Sequence, residues 1–190
     1  FVGTPYLSHV LTDGGRTDVA YSLLHQKTCP SWLFPVTHGA TTIWERWDGW
    51  TPEKGFNDPG MNSFNHYAYG AVGAWLYATV AGIDLDESRP GYKHIVIRPH
   101  PGGGLTHAKA KLMSPYGPIE SAWRMENDLL RLDVVIPANA TATVRLPTRD
   151  PAGITEGGKR LPQAARDEHG VAVIEIAAGS YSFLSPLSAA

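Results

Sequence analysis

The sequence runs to 190 residues, with 43% apolar and 18% charged positions, room for one large globular domain or two small ones. A net charge of −2 without a basic patch excludes the electrostatic footprint of a nucleic-acid binder, and no apolar run approaches the ~18 residues needed to cross a bilayer. One cysteine, Cys29, excludes an internal disulfide and a cysteine-based zinc cluster.

The first half has helical grammar. Thr4-Pro5 has the form of an N-cap followed by proline in the first turn, and Gly14-Gly15 closes that short helix. Residues 16–27 carry Val19, Leu23 and Leu24 as a modest amphipathic stripe. The strongest predicted helix is 62–81, capped by Asn62 or Ser63, with Phe64, Tyr67, Ala68, Ala71, Trp75, Leu76 and Thr79 along one face and Gly82 at its end. Between these helices lie residues 30–60, rich in Trp, Gly, Pro and Asp. An irregular connection of about 30 residues inside a compact domain is usually functional.

From Tyr92 the pattern changes to short alternating runs: 94–99, 106–114, 117–126, 129–137, 140–147, 171–176 and 180–185. Turn signals separate them, among them PGGG at 101–104 and Asn127-Asp128. Short strands at this spacing predict an antiparallel sandwich, and residues 84–91 read as the linker leading to it. The expected architecture is therefore multi-domain α plus β, with helices over 1–85 and a β-sandwich over 86–190. Two or three helices cannot bury the stripes they carry, so the helical half is expected to need neighbours, whereas the sandwich can stand alone. The opening Phe1, within an apolar pattern and with no charged leader, points to a piece of a longer polypeptide.

Candidate chemistry concentrates between Gly39 and Leu76, where Trp44, Trp47 and Trp50 alternate with Glu45, Asp48, Glu53 and Asp58, and His66 follows. Carboxylates among indole rings suit acid–base work, because apolar walls raise a carboxyl pKa while hydrogen bonds lower it. Each residue also has a bland reading: Glu45 as a structural carboxylate paired with Arg46, His66 as a satisfied core histidine, Asp58 as a turn residue before Pro59, the tryptophans as packing. No phosphate-binding loop or HExxH, CxxC or GxSxG motif occurs, and eight histidines lack metal-ligand spacing, so no cofactor is expected. His94, His100 and His107 cluster in sequence without forming a metal motif.

The string GATTIWERWDGW (39–50), followed by DPGMNSFNHYAYGAVGAWLY (58–77), resembles the C-terminal part of the catalytic barrel in bacterial α-L-rhamnosidases of glycoside hydrolase family 78. The flanking FVGTPYLSHVLTDGGRTDVAYSLLHQ and PGYKHIVIRPHPGGGLTHAKAKLMSPYGPIESAW extend the likeness over residues 1–147. The resemblance implies the last helices of an incomplete (α/α)6 barrel followed by a C-terminal sandwich. It also implies an inverting hydrolase acting on terminal α-L-rhamnosyl groups of a rhamnosylated small molecule or polysaccharide. By the same likeness Glu45, in TTIWE, takes the place of the general base and His66, in NSFNHY, that of a residue contacting rhamnose hydroxyls, with Trp44 or Trp47 as a subsite wall. The family's general acid lies upstream of this region, so the chain is expected to be inactive alone and to have the missing N-terminal part of the barrel as its partner. The alternative is a carbohydrate-binding or interaction module built on the sandwich, for which Trp123 and Tyr116 are the obvious surface aromatics.

Overall fold

The computed structural model describes residues 2–161, 165–166 (backbone) and 171–187. Two compact units divide within the last helical run, Phe1–Trp75 and Leu76–Ala190.

The first unit opens with α1 (Thr4–Asp13), whose N-cap is Gly3 and which carries Pro5 in its first turn. Gly14 caps it, its N–H bonding the Val10 carbonyl at 2.9 Å. Gly15 then takes a left-handed φ of +74°, bringing the Arg16 N–H onto the Leu11 carbonyl at 2.7 Å. α2 (Thr17–His25) follows and buries Ala20 and Tyr21. The stretch expected to be irregular contains a short helix, α3 (Leu33–Thr37), and a two-residue hairpin of β1 (Trp50–Thr51) and β2 (Gly55–Phe56). A single 3-10 turn follows at Pro59–Met61.

The helix expected over 62–81 starts later and is broken. It consists of α4 (Tyr67–Gly70) and α5 (Val72–Trp75), and runs into one π-helical turn, Leu76–Val80. Residues 62–66 cannot join it because their backbone groups are committed elsewhere. The Ser63 N–H and carbonyl, the Phe64 carbonyl and the His66 N–H all bond residues 42–45. A helix begun at Asn62 would need the Ser63 and Phe64 carbonyls and the His66 N–H for its own ladder, whereas the Ser63 N–H would have no partner within it. Trp75, fully buried, meets the edge of Tyr21 with ring centroids 5.2 Å apart and donates through Nε1 to the Thr12 hydroxyl at 2.9 Å. By contrast α1 leaves Tyr6 and Val10 about two-thirds exposed.

The second unit is a two-sheet sandwich. Its strands are β3 (Ile83–Leu85), β4 (His94–Ile97), β5 (His107–Ser114), β6 (Gly117–Glu126), β7 (Leu129–Ile136), β8 (Thr141–Leu146), β9 (Thr155–Glu156), β10 (Lys159–Arg160), β11 (Ala165–Arg166), β12 (Ala172–Ile176) and β13 (Gly179–Pro186). One sheet has the order β10-β9-β13-β7-β6-β5 and the other β11-β12-β8-β4-β3. The pairing is antiparallel except between β4 and β8, which run parallel. All seven runs expected as strands form strands. β3 falls at the start of the expected linker and was not foreseen, nor were the two-residue strands β9 and β10.

Alternation sets the core. In β7 every second residue is buried, placing Leu130, Leu132, Val134 and Ile136 inward, and in β8 the same pattern gives Ala142, Val144 and Leu146. Ile95, Ile97, Ile119, Trp123 and Phe183 complete a dry interior. Gly82 is required at its entry: its φ is +82°, and a Cβ there would lie 2.3 Å from the Pro99 nitrogen. Just before it β6 ties the incoming chain down, as Trp123 Nε1 donates to the Val80 carbonyl and the Ser121 hydroxyl to the Ala81 carbonyl, both at 2.6 Å. Trp123 is therefore a buried anchor, 2% exposed, rather than the surface aromatic considered above, while Tyr116 is 39% exposed with Lys93 above its ring. No helix among the described residues is long and apolar enough to cross a membrane.

Replacing Trp123 by Phe leaves the Val80 carbonyl buried without its donor and opens space beside it. Urea unfolding of the 190-residue chain should show the sandwich transition destabilised by about 1–3 kcal/mol. Leu129→Ala, at a partly exposed position of β7, should stay within about 0.5 kcal/mol of the parent.

Candidate functional site

Residues 42–45 and 63–66 lie side by side in an irregular pairing that brings Glu45 and His66 onto neighbouring segments. The Thr42 hydroxyl donates to the Phe64 carbonyl, the Glu45 N–H donates to the Ser63 carbonyl at 2.8 Å, and the His66 N–H donates to the Ile43 carbonyl at 2.9 Å. The Ser63 N–H returns the bond by donating to Glu45 Oε2, also at 2.8 Å. Glu45 is thus clasped twice by one residue, once through its backbone and once through its carboxylate. Its second oxygen, Oε1, has no protein partner among the described residues. A charge-assisted bond from a backbone amide is short, directional and selective for the ionised carboxylate.

Arg46 makes no ion pair with Glu45 among the described residues. Its guanidinium reaches Asp48, with Nε 3.1 Å from Oδ1, and this hydrogen bond holds the Asp48 carboxyl below its ordinary range. The Asn57 side chain donates to Asp48 Oδ2 at 3.1 Å, and the Asn57 N–H to the Gly49 carbonyl at 2.9 Å. Asp48 therefore organises the loop that follows Glu45.

The tryptophans form the base of this region. Trp44 is buried, with Phe64 edge-on to it at 5.1 Å. Trp47 stacks on Tyr69 at 3.7 Å and 8°, and meets Trp32 edge-on at 5.2 Å. Trp32 Nε1 in turn donates to the Tyr69 carbonyl at 2.9 Å. Trp32, Trp44 and Trp47 enclose a void of about 10 Å³ with Pro35, Ile43 and Arg46, room for a single water.

His66 is the N-cap of α4. Its Nδ1 accepts the Ala68 N–H at 3.2 Å, so a neutral ring carries its proton on Nε2. The imidazole lies nearly parallel to the ring of Tyr67, which is 83% exposed. With Ile43, Asn65, Gly70 and Ala71 these two residues line an open depression of about 600 Å³. Glu45, Trp44 and Trp47 do not line it, although Ile43, adjacent to Trp44, does.

Other candidates have structural duties. Asp58 caps the 3-10 turn by accepting the Gly60 N–H at 2.8 Å, and Glu53 stands exposed in the β1–β2 turn. Cys29 is exposed, and its thiol is pushed up by partial burial and by the carboxylates of Asp48 and Glu53. His94 is buried in β4 between two hydroxyls. Thr143 donates to Glu175 at 2.6 Å and so accepts from His94 Nε2 at 2.8 Å, leaving Nδ1 to Thr141 at 2.6 Å. Among the described residues no group of three or more His, Cys, Asp or Glu side chains is placed to hold a metal ion. The sequence reading missed Ser63 and Asn62 as parts of the site, taking them for helix caps. Ser63 acts through its backbone, which leaves no trace in residue type.

Residues 1–80 match the bacterial α-L-rhamnosidase six-hairpin glycosidase domain, and residues 82–160 match the bacterial α-L-rhamnosidase C-terminal domain. An α-L-rhamnosidase of Streptomyces avermitilis is 49% identical over 183 residues, covering 96% of this chain and 17% of the relative. One from Formosa agariphila is 49% identical over 148 residues, covering 78% and 16%. The crystal structure of the Streptomyces avermitilis enzyme complexed with L-rhamnose superposes with a TM-score of 0.87 at 48% identity, again over 96% of this chain and 17% of that one. That of the Aspergillus terreus enzyme superposes with a TM-score of 0.81 at 34% identity, over 96% and 19%. The chain therefore spans under a fifth of the length of these proteins.

Truncating Trp47 to Ala removes a ring that stacks on Tyr69 and meets Trp32 edge-on. The first unit should lose about 3–5 kcal/mol, read as an earlier loss of near-ultraviolet circular dichroism on heating, whereas Trp47→Phe should recover much of it.

Proposed function

Since the chain belongs to the bacterial α-L-rhamnosidases and corresponds to their C-terminal portion, we propose that it supplies the general base of an inverting α-L-rhamnosidase, Glu45. The observation that carries this reading is the asymmetry of the Glu45 carboxylate. Oε2 is fixed by the Ser63 N–H, and Oε1 is left without a protein partner among the described residues. An oriented carboxylate with one oxygen left unbonded by the protein is what activation of a water demands. The base takes a proton from that water as its oxygen attacks the anomeric carbon, and the leaving oxygen departs from the opposite face as a second carboxyl protonates it. The two carboxyl groups of such an enzyme stand roughly 6.5–9.5 Å apart, leaving space for the water.

His66 would contact the sugar hydroxyls. Its Nδ1 accepts the Ala68 N–H, which fixes the ring's orientation, and the residue lines the open depression beside Asn65 and Tyr67. Trp44 and Trp47 would support the subsite wall from beneath, Trp44 through its contact with Phe64 and Trp47 through its stack on Tyr69. The substrate class is a terminal α-L-rhamnoside, on a small molecule or a polysaccharide. The general acid would come from the upstream part of the barrel, and the exposed Val2, Tyr6 and Val10 of the first unit are apolar surface suited to packing against those preceding helices.

The test extends the chain upstream to the length of its relatives and compares it with its Glu45→Gln variant on an aryl α-L-rhamnoside. A fall of several orders of magnitude in kcat, with circular dichroism unchanged, is expected. Activity retained by Glu45→Gln would reduce Glu45 to a structural carboxylate. The 190-residue chain by itself should show no turnover above buffer, and enzyme-like hydrolysis by it would overturn the two-part reading.

A further inference from the structure

We infer that Asn62 is a positioning residue for Glu45, acting through the two segments that flank the carboxylate; this rests on the reading of Glu45 as the general base. The Asn62 amide Nδ2 donates to the Gly49 carbonyl at 2.9 Å and to the Asn57 carbonyl at 3.3 Å. Gly49 lies four residues beyond Glu45, and its N–H donates to the Arg46 carbonyl at 3.2 Å, so the backbone after Glu45 turns back directly onto the clamped position. On its other side Asn62 is joined by one peptide bond to Ser63, whose N–H holds Glu45 Oε2. One side chain thus fixes, relative to each other, the loop that leaves Glu45 and the amide that orients its carboxylate.

Two further observations distinguish this from an ordinary loop bond. Asn62 Oδ1 is buried without a partner among the described residues. The amide cannot be turned over to satisfy it, because that would set the carbonyl oxygen against the Gly49 and Asn57 carbonyls. A buried acceptor left unmatched is a cost that a surface loop has no reason to carry. The fit is also tight: a Cβ on Gly49 would stand 2.7 Å from Oδ1, so any larger residue there pushes the Asn62 amide out of its present place. Gly49 has no positive φ that would otherwise explain it. Asp, of the same size, has no donor when ionised, and Ser has only one on a shorter side chain, so neither could make both bonds that Asn62 makes.

The experiment uses the upstream-extended chain and an aryl α-L-rhamnoside, with Asn62→Ala, Asn62→Asp and Gly49→Ala, each also combined with Glu45→Gln. A base displaced by a fraction of an ångström should lower kcat about 10- to 100-fold, with KM within about twofold of the parent. Asn62→Asp keeps the size and loses the donor, so it should be as impaired as Asn62→Ala. Gly49→Ala, which leaves Asn62 in place but pushes on Oδ1, should show the same split between kcat and KM. In the Glu45→Gln background Asn62→Ala should cause no further loss, because Asn62 acts only through the base. An unchanged kcat in Asn62→Ala or Asn62→Asp would overturn the inference. So would an equal loss in the parent and Glu45→Gln backgrounds, which marks a general structural effect. Full activity in Glu45→Gln alone would instead remove the base reading on which the inference stands.

Discussion

The backbone pairing between residues 42–45 and 63–66 is the constraint on which the first unit turns. It closes a loop of some twenty residues, sets the start of the last helix by consuming the groups that would have lengthened it, and places Glu45 and His66 on adjacent segments. The shared cause is hydrogen bonding: a backbone N–H has one bond to give, and the His66 N–H given to the Ile43 carbonyl is withdrawn from the helix. His66 ends up as an N-cap with an extended backbone, φ −132° and ψ 135°, instead of a residue on a helical face. Its ring is thereby turned by the cap bond to Ala68, and the same bond decides the neutral tautomer.

The second unit depends on a different force. Its core is made by alternation, with β7 and β8 burying every second residue against the opposite sheet, and it needs few polar decisions. Where polar groups enter they are matched, as in the His94, Thr143 and Glu175 chain, or they serve as ties, as Ser121 and Trp123 do at the carbonyls of Ala81 and Val80. The first unit is the reverse case. Its buried aromatics include Tyr21, Trp32, Trp44, Tyr69 and Trp75, and its long loop is shaped largely by hydrogen bonds such as Asp48 with Arg46 and Asn57.

That contrast explains what was legible from the amino acids. Period-two patterns are written in side chains, so β5, β6, β7, β8, β12 and β13 were visible within a residue or two. β3 was hidden because three residues after a glycine carry too little pattern, and its identity depends on Gly82 passing close to Pro99. The helix expected over 62–81 was overextended for the complementary reason. Phe64 keeps the apolar period, but what stops the helix is backbone bonding to a segment twenty residues earlier, and periodicity does not record that. Trp123 was misplaced at the surface because an indole on a strand looks the same from either face until its N–H partner is known. Glu45 and His66 were singled out through resemblance. The parts that hold them, the Ser63 amide and the Asn62 side chain, were read only as helix-start signals.

The length of the stretch between α3 and α4 follows from the same demands. A carboxylate held in one orientation by one oxygen and left unbonded by the protein at the other makes two demands, and a helix or strand interior satisfies the first while denying the second. A loop supplies the exposure but is ordinarily mobile. The chain meets both by pinning a loop at several points: Asp48 to Arg46 and Asn57, Asn62 to Gly49 and Asn57, Trp47 to Tyr69, and Glu45 itself to Ser63. The pins are short-range and mostly polar, so they leave the nearby surface open at Tyr67 and His66. Irregular backbone is therefore the means by which this unit holds a charged group still at a wet surface, and the density of its side-chain-to-backbone bonds compensates for the secondary structure it lacks.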